Sequence, residues 1–146
     1  MEIKKEYEDL REKYGLPKYS YMDDEFEISA IKIPDSGIFI KAVLRSVINK
    51  YGICMNFFEP VISPQQTMHS MIELSGLTEE DKKNIYQLYK KMGFIIHEMY
   101  LSEIKDEKSV AEQINLAVKS WETLKKEVIK NLDIINKSWA KKDMED

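Results

Sequence analysis

The sequence predicts an all-α fold: a single-domain helical bundle of four main helices plus one short helix, closed by a long C-terminal helix. Apolar residues recur at steps of three and four along most of the chain, which is the helical period and not the strand period. Pro17, Pro34, Pro60 and Pro64 fall at the ends of these periodic stretches. No internal repeat, low-complexity run or linker rich in proline, glycine or serine interrupts the 146 residues. A chain of this length is one domain by size and buries enough surface to fold without staples. The expected domain is 1–146, with a charged tail fraying from about residue 141.

The first helix is expected from about Glu2 to Tyr14, because Ile3, Tyr7, Leu10 and Tyr14 share one face. Gly15 can take the left-handed position after it, and Pro17 cannot continue it. Ser20 with Asp23 can start a short turn of helix through Phe26. Ile28, Ala30, Ile31 and Ile33 show no single period and are expected as extended chain.

The central helix is Ile38 to Phe58, where 14 of 21 residues are apolar. Ile40, Leu44, Val47, Tyr51, Cys54 and Phe58 form its core row, widened by Val43, Ile48 and Met55. Asp35 or Ser36 is the expected cap, and Pro60 is expected to stop or kink the helix by Glu59. A membrane span is disfavoured, since Lys41, Arg45 and Lys50 would each cost roughly 2.5–3.5 kcal/mol near a bilayer centre.

Ser63, Pro64 and Gln66 together predict the cap, first turn and capping-box glutamine of a short helix that ends at Gly76 and turns Met68, Met71 and Ile72 inward. Thr78 caps the next helix, whose first turn, Glu79-Glu80-Asp81, sets negative charge against the positive end of the dipole. Ile85, Leu88, Met92, Ile95 and Met99 form its core row to about Glu103, so Gly93 is expected inside a continuous helix. Asp106, or Ser109 with Glu112, starts the last helix. Its expected row, Val110, Ile114, Ala117, Trp121, Leu124, Val128, Leu132, Ile135 and Trp139, has a mean period of about 3.6 and not a strict 3.5. Trp121 is expected to be more buried than Trp139, which only the charged tail follows.

The formal net charge is −4, and residues 1–30 carry five basic and nine acidic groups. This acidic balance disfavours a dedicated nucleic-acid binder. The lone Cys54 lies on the core row of the central helix and reads as a buried hydrophobe in a reducing compartment. The opening MEIKKEYEDLREKYG lacks the apolar core of a secretory signal, so a cytoplasmic location is expected.

His69 has Glu73 at i+4, which places two donor side chains on one face but does not make a metal site. His97 follows Phe94 at i−3, so neither histidine completes a Glu-x-x-His pair. No phosphate loop, dinucleotide fingerprint or nucleophile turn occurs. The reading is therefore of no catalytic, cofactor or metal residues. Two sets of residues are singled out. Lys41, Arg45 and Asn49 form a polar stripe on the central helix, read either as a site for an anion or as internal ion pairs with Asp23, Asp24, Glu25 or Glu27. Tyr14, Tyr19, Tyr21 and Phe26 form an aromatic cluster, read either as a protein-interaction surface or as a segment wrapping its own domain.

The stretch MIELSGLTEEDKKNIYQLYKKMGFI resembles the helix-turn-helix and wing start of winged-helix DNA-binding domains. That resemblance implies a helix entering the major groove, where the three leading carboxylates would face a polyanion. KYGLPKYSYMDDEFEIS, LTEEDKKNIYQLYKKM and the long tryptophan-bearing last helix resemble a group of small, uncharacterised archaeal helical proteins. This second resemblance implies an all-helical cytoplasmic protein and brings no activity with it. The expected function is a non-enzymatic protein acting through protein–protein interaction with an unknown partner or with itself. The alternatives are a winged-helix-like DNA-binding regulator and a bundle binding an anion or small ligand.

Overall fold

The computed structural model describes residues 2–32 and 38–141. Among them the regular elements are all helical: α1 (Ile3–Tyr14), α2 (Tyr19–Phe26), a 3-10 turn (Ile28–Ala30), α3 (Phe39–Ile62), α4 (Met68–Ser75), α5 (Glu79–Glu103) and α6 (Glu107–Ala140). The expected count was one short helix, whereas α2 and α4 are both short. No described helix is long and apolar enough to cross a membrane. The candidate caps Asp35 and Ser36 and the tail beyond residue 141 lie outside the described residues.

By its internal contacts the chain divides into two compact units, Met1–Gly52 with Phe94–Trp121, and Ile53–Gly93 with Glu122–Asp146. In the first unit, α1 ends as its sequence requires: Gly15 is left-handed at φ 68° and its N–H donates to the Arg11 carbonyl at 2.7 Å. Tyr7 is fully buried and donates its hydroxyl to the Pro17 carbonyl at 2.5 Å, which ties α1 to the loop after it. Burial pushes the Tyr7 phenol pKa well above its ordinary value. α2 ends on Glu27, a left-handed residue at φ 54° that is not glycine. The segment after it is a 3-10 turn and not extended chain, because the Asp23 carboxylate accepts the Ser29 N–H at 2.8 Å and holds the backbone curled.

The core of this unit forms around Trp121. Its ring lies 5.9 Å from Phe26 and 5.6 Å from Tyr51, both tilted, and its indole N–H donates to the Glu25 carboxylate at 2.8 Å. The Tyr51 hydroxyl donates to the Ala117 carbonyl at 2.6 Å, so a polar tip at the centre of α3 is satisfied by the α6 backbone. The expected α3 core row from Ile40 to Phe58 is buried throughout.

The second unit corrects three expectations. α3 does not stop before Pro60 but runs through it to Ile62, and Ser63 N–H still reaches the Glu59 carbonyl at 2.8 Å. A proline inside a helix lacks an N–H and its ring crowds the carbonyl four residues back, and α3 carries on for only two residues beyond it. The short helix is capped by Thr67, whose hydroxyl accepts the Ser70 N–H at 3.2 Å, and not by Ser63. Met68 and Met71 point outward and not into the core. α5 begins as expected, with a reciprocal box in which Thr78 Oγ1 accepts Asp81 N–H and Asp81 accepts Thr78 N–H, each at 3.0 Å.

Gly93 lies inside α5, and residues 94–103 continue the helix where a wing would require strands. Ile96, and not Ile95, is the buried residue of the α5 row there. Along α6 one buried row runs through Val110, Ile114, Ala117, Trp121, Leu124, Val128, Asn131, Ile135 and Ser138, with Ala111 and Val118 also buried beside it. The row steps four and three in strict alternation, a 3.5 period of the kind seen along coiled-coil seams. The sequence concealed it because Asn131 and Ser138 are polar, while their neighbours Leu132 and Trp139 are apolar. Trp121 is 2% exposed and Trp139 is 44% exposed, in the order expected.

Candidate functional site

Of the polar stripe on α3, Lys41 is half-buried and Arg45 and Asn49 are exposed. Arg45 pairs with Glu103 of α5 at 2.6 Å and not with the acidic run before α3. The carboxylates of that run bond elsewhere, Asp23 to the Ser29 N–H and Glu25 to the Trp121 indole N–H. The Arg45 side chain is largely solvated, so its pair contributes only about 0–1 kcal/mol. Of the aromatic cluster, Phe26 is buried against Trp121 and belongs to the core, which corrects its reading as surface. Tyr14, Tyr19 and Tyr21 are half-buried. Tyr14 donates to Glu107 at 3.1 Å, and Tyr19 packs 5.8 Å from Tyr7. The segment from residue 14 to 26 thus wraps its own unit.

The unusual chemistry lies in α4. Its amphipathicity is inverted: Ser70 and Glu73 are buried, while Met68 is 70% and Met71 62% exposed. What holds Glu73 inward is a bond to the end of α6. Glu73, only 7% exposed, accepts the Trp139 indole N–H on Oε2 at 2.7 Å, and His69 Nε2 stands 3.4 Å from the same oxygen. The His69 and Trp139 rings meet edge-on at 5.2 Å. The Ser70 hydroxyl accepts the Gln65 N–H at 3.4 Å, which draws the preceding loop onto the helix. At the other end, Gly76 passes so close to α6 that a Cβ there would lie 2.1 Å from Ser138 Oγ. The buried Ser138 is therefore small because the chain after α4 crosses it.

Glu73 Oε1 and Ser138 Oγ are both sealed from solvent and lack a hydrogen-bond partner among the described residues. Such groups cost about 1–3 kcal/mol each relative to satisfied ones. α4 is thus fastened by one strong charge-assisted bond and opposed by two unmet polar atoms. The Ser138 hydroxyl is bonded to no base among the described residues, so nothing in this cluster activates it for nucleophilic attack. Among the described residues no group of three or more His, Cys, Asp or Glu side chains is placed to hold a metal ion.

Residue-by-residue periodicity missed Ser70, Glu73, Ser138 and Trp139 as a cluster. A signal was nevertheless present. From Pro60 to Thr78 the chain carries one charged residue, Glu73, although 33% of the whole sequence is charged. A surface segment without charge, whose only ionisable carboxylate turns inward, marks a face that is not built for water. Comparisons with protein-family models, curated proteins and solved structures find no significant match.

Proposed function

We propose that the chain works by binding another protein through the outward face of α4. The observation that carries this reading is the inversion of that helix, which exposes Met68 and Met71 in an uncharged segment while polar side chains take the inner positions. Interface cores are enriched in methionine and aromatic residues and depleted of charge. Methionine adapts its shape to an apolar partner surface at little rotameric strain. The half-exposed Trp139, which holds Glu73, adds an amphipathic ring at the edge of the same cluster. We place the protein in the cytoplasm, on the strength of its buried lone cysteine.

The partner chemistry that fits is an uncharged apolar surface, on another protein or on a second copy of this chain. A photo-reactive amino acid placed at Met71, with a control at the exposed Lys83 of α5, tests this in living cells. The reading expects a discrete protein adduct at position 71 that is absent at 83, and whose mass tells a second copy from another protein. It also expects loss of that adduct when Met68→Gln is added without change in thermal stability. Equal labelling at both positions would overturn it.

A further inference from the structure

A second polar feature lies where α5 and α6 face one another in the second unit. From α5 come Asn84, Gln87, Leu88 and Lys91, which share one helix face at steps of three, one and three. From α6 come Glu127, Lys130 and Asn131. Together they line a cleft of about 180 Å³, roughly six waters by liquid volume. Helix seams are normally apolar, and of these lining side chains Leu88 alone is apolar.

Asn131 sits on the buried row of α6, 5% exposed, where the 3.5 period calls for an apolar residue. Its orientation is fixed. Its amide nitrogen donates to the Glu127 carbonyl at 2.8 Å, and a carbonyl can only accept, so Nδ2 faces that carbonyl and Oδ1 faces away from it. No described residue donates to Oδ1, and Oδ1 is not sealed from solvent. A buried amide oxygen is thus left as an acceptor at a cleft whose rim carries both signs of charge. Lys91 stands 4.0 Å from the Glu127 carboxylate. Lys130 has no carboxylate partner among the described residues.

We propose that this cleft binds a small monocarboxylate carrying a hydrogen-bond donor on the adjacent carbon, that is, an α-hydroxy or α-amino acid. The cleft matches both ends of such a molecule. The Lys130 ammonium and the side-chain amides of Asn84 and Gln87 supply donors for a carboxylate. Asn131 Oδ1 and the Glu127 carboxylate supply acceptors for the neighbouring hydroxyl or ammonium. With two lysines and one glutamate, the formal charge of the lining is +1, which suits an anionic head. A cleft this small excludes nucleotides and long side chains.

The full-length protein, titrated separately with L-lactate, glycine and propionate and followed by amide NMR shifts, tests the proposal. Saturable shifts confined to residues 84–91 and 127–131 are expected with lactate or glycine, and which of the two binds tells the hydroxy from the amino class. Propionate, which lacks the α donor, should bind at least about tenfold more weakly, as should lactate or glycine to Lys130→Ala. Lys130 is exposed, so that variant keeps its fold. Absence of saturable shifts with both lactate and glycine overturns the proposal. So does propionate binding as tightly as lactate or glycine, or affinity unchanged in Lys130→Ala.

Discussion

The hydrogen bond between Glu73 and Trp139 should respond with opposite signs when it is removed from its two ends. Trp139→Phe keeps an aromatic ring beside His69 and removes the indole N–H together with the rest of the five-membered ring, at a residue already 44% exposed. Glu73 is then left nearly enclosed, with Oε1 already unpartnered and Oε2 retaining only His69 at 3.4 Å. Hydrogen bonds to charged groups contribute about 1.5–3 kcal/mol, so the variant should lose about that much unfolding free energy. Glu73→Met conserves volume and removes both the desolvated charge and the orphaned oxygen. The freed indole belongs to a residue 44% exposed, so it finds water. Replacing a buried ionised group by an apolar one of similar shape is neutral or favourable, and a gain of about 0–2 kcal/mol is expected. The double variant should lie close to Glu73→Met, giving a coupling about equal to the Trp139→Phe loss. Urea unfolding followed by far-UV circular dichroism, with unchanged m-values, reads all four corners of the cycle. Equal losses from both single variants, or a Trp139→Phe loss below about 0.5 kcal/mol, would refute the picture of a single bond holding an otherwise unmet carboxylate.

Three further outcomes follow from local geometry. Gly76→Ala should cost about 1–3 kcal/mol, because the new methyl meets Ser138 and the α6 backbone; a loss under about 0.5 kcal/mol on denaturation would show that the approach is not close. Glu27→Gly should raise stability by up to about 1 kcal/mol, since a left-handed non-glycine residue costs about 1–2 kcal/mol and part of that gain is returned as chain entropy; a fall in melting temperature would contradict this. Tyr7→Phe should weaken the fold at neutral pH by about 1 kcal/mol through the lost bond to Pro17. Burial raises the Tyr7 pKa, so its contribution is complete below the unfolded phenol value near 10 and is lost as pH rises toward the higher folded value. The gap between wild type and Tyr7→Phe should therefore shrink above about pH 10, and a constant gap on alkaline titration would refute the assignment.

Much of the fold was legible because it rests on local rules. Gly15 and Pro17 end α1, Thr78 with Asp81 starts α5, and the α3 row from Ile40 to Phe58 is buried as its spacing requires. Local signals misled where several competed within a few residues. Ser63-Pro64-Gln66 and Thr67 both offer a helix start, and the one chosen is the one whose helix places Glu73 on the Trp139 indole of α6. The candidate ion pairs failed for a related reason: Arg45 found Glu103, 58 residues further along the chain, rather than the acidic run that precedes it.

The sequence by itself determined the helical class, most helix boundaries, the buried rows of α3 and the first half of α6, and the greater burial of Trp121 over Trp139. All of these follow from backbone chemistry and from a period that apolar residues report within a few turns. Only the tertiary structure decided which face of α4 turns inward, and that Asn131 and Ser138 rather than Leu132 and Trp139 continue the seam of α6. Glu73 is buried because Trp139, 66 residues further on, meets it there, and Ser138 because a glycine crosses it. Hydrophobicity alone places such a residue on the surface, so no count of apolar spacing could have found it.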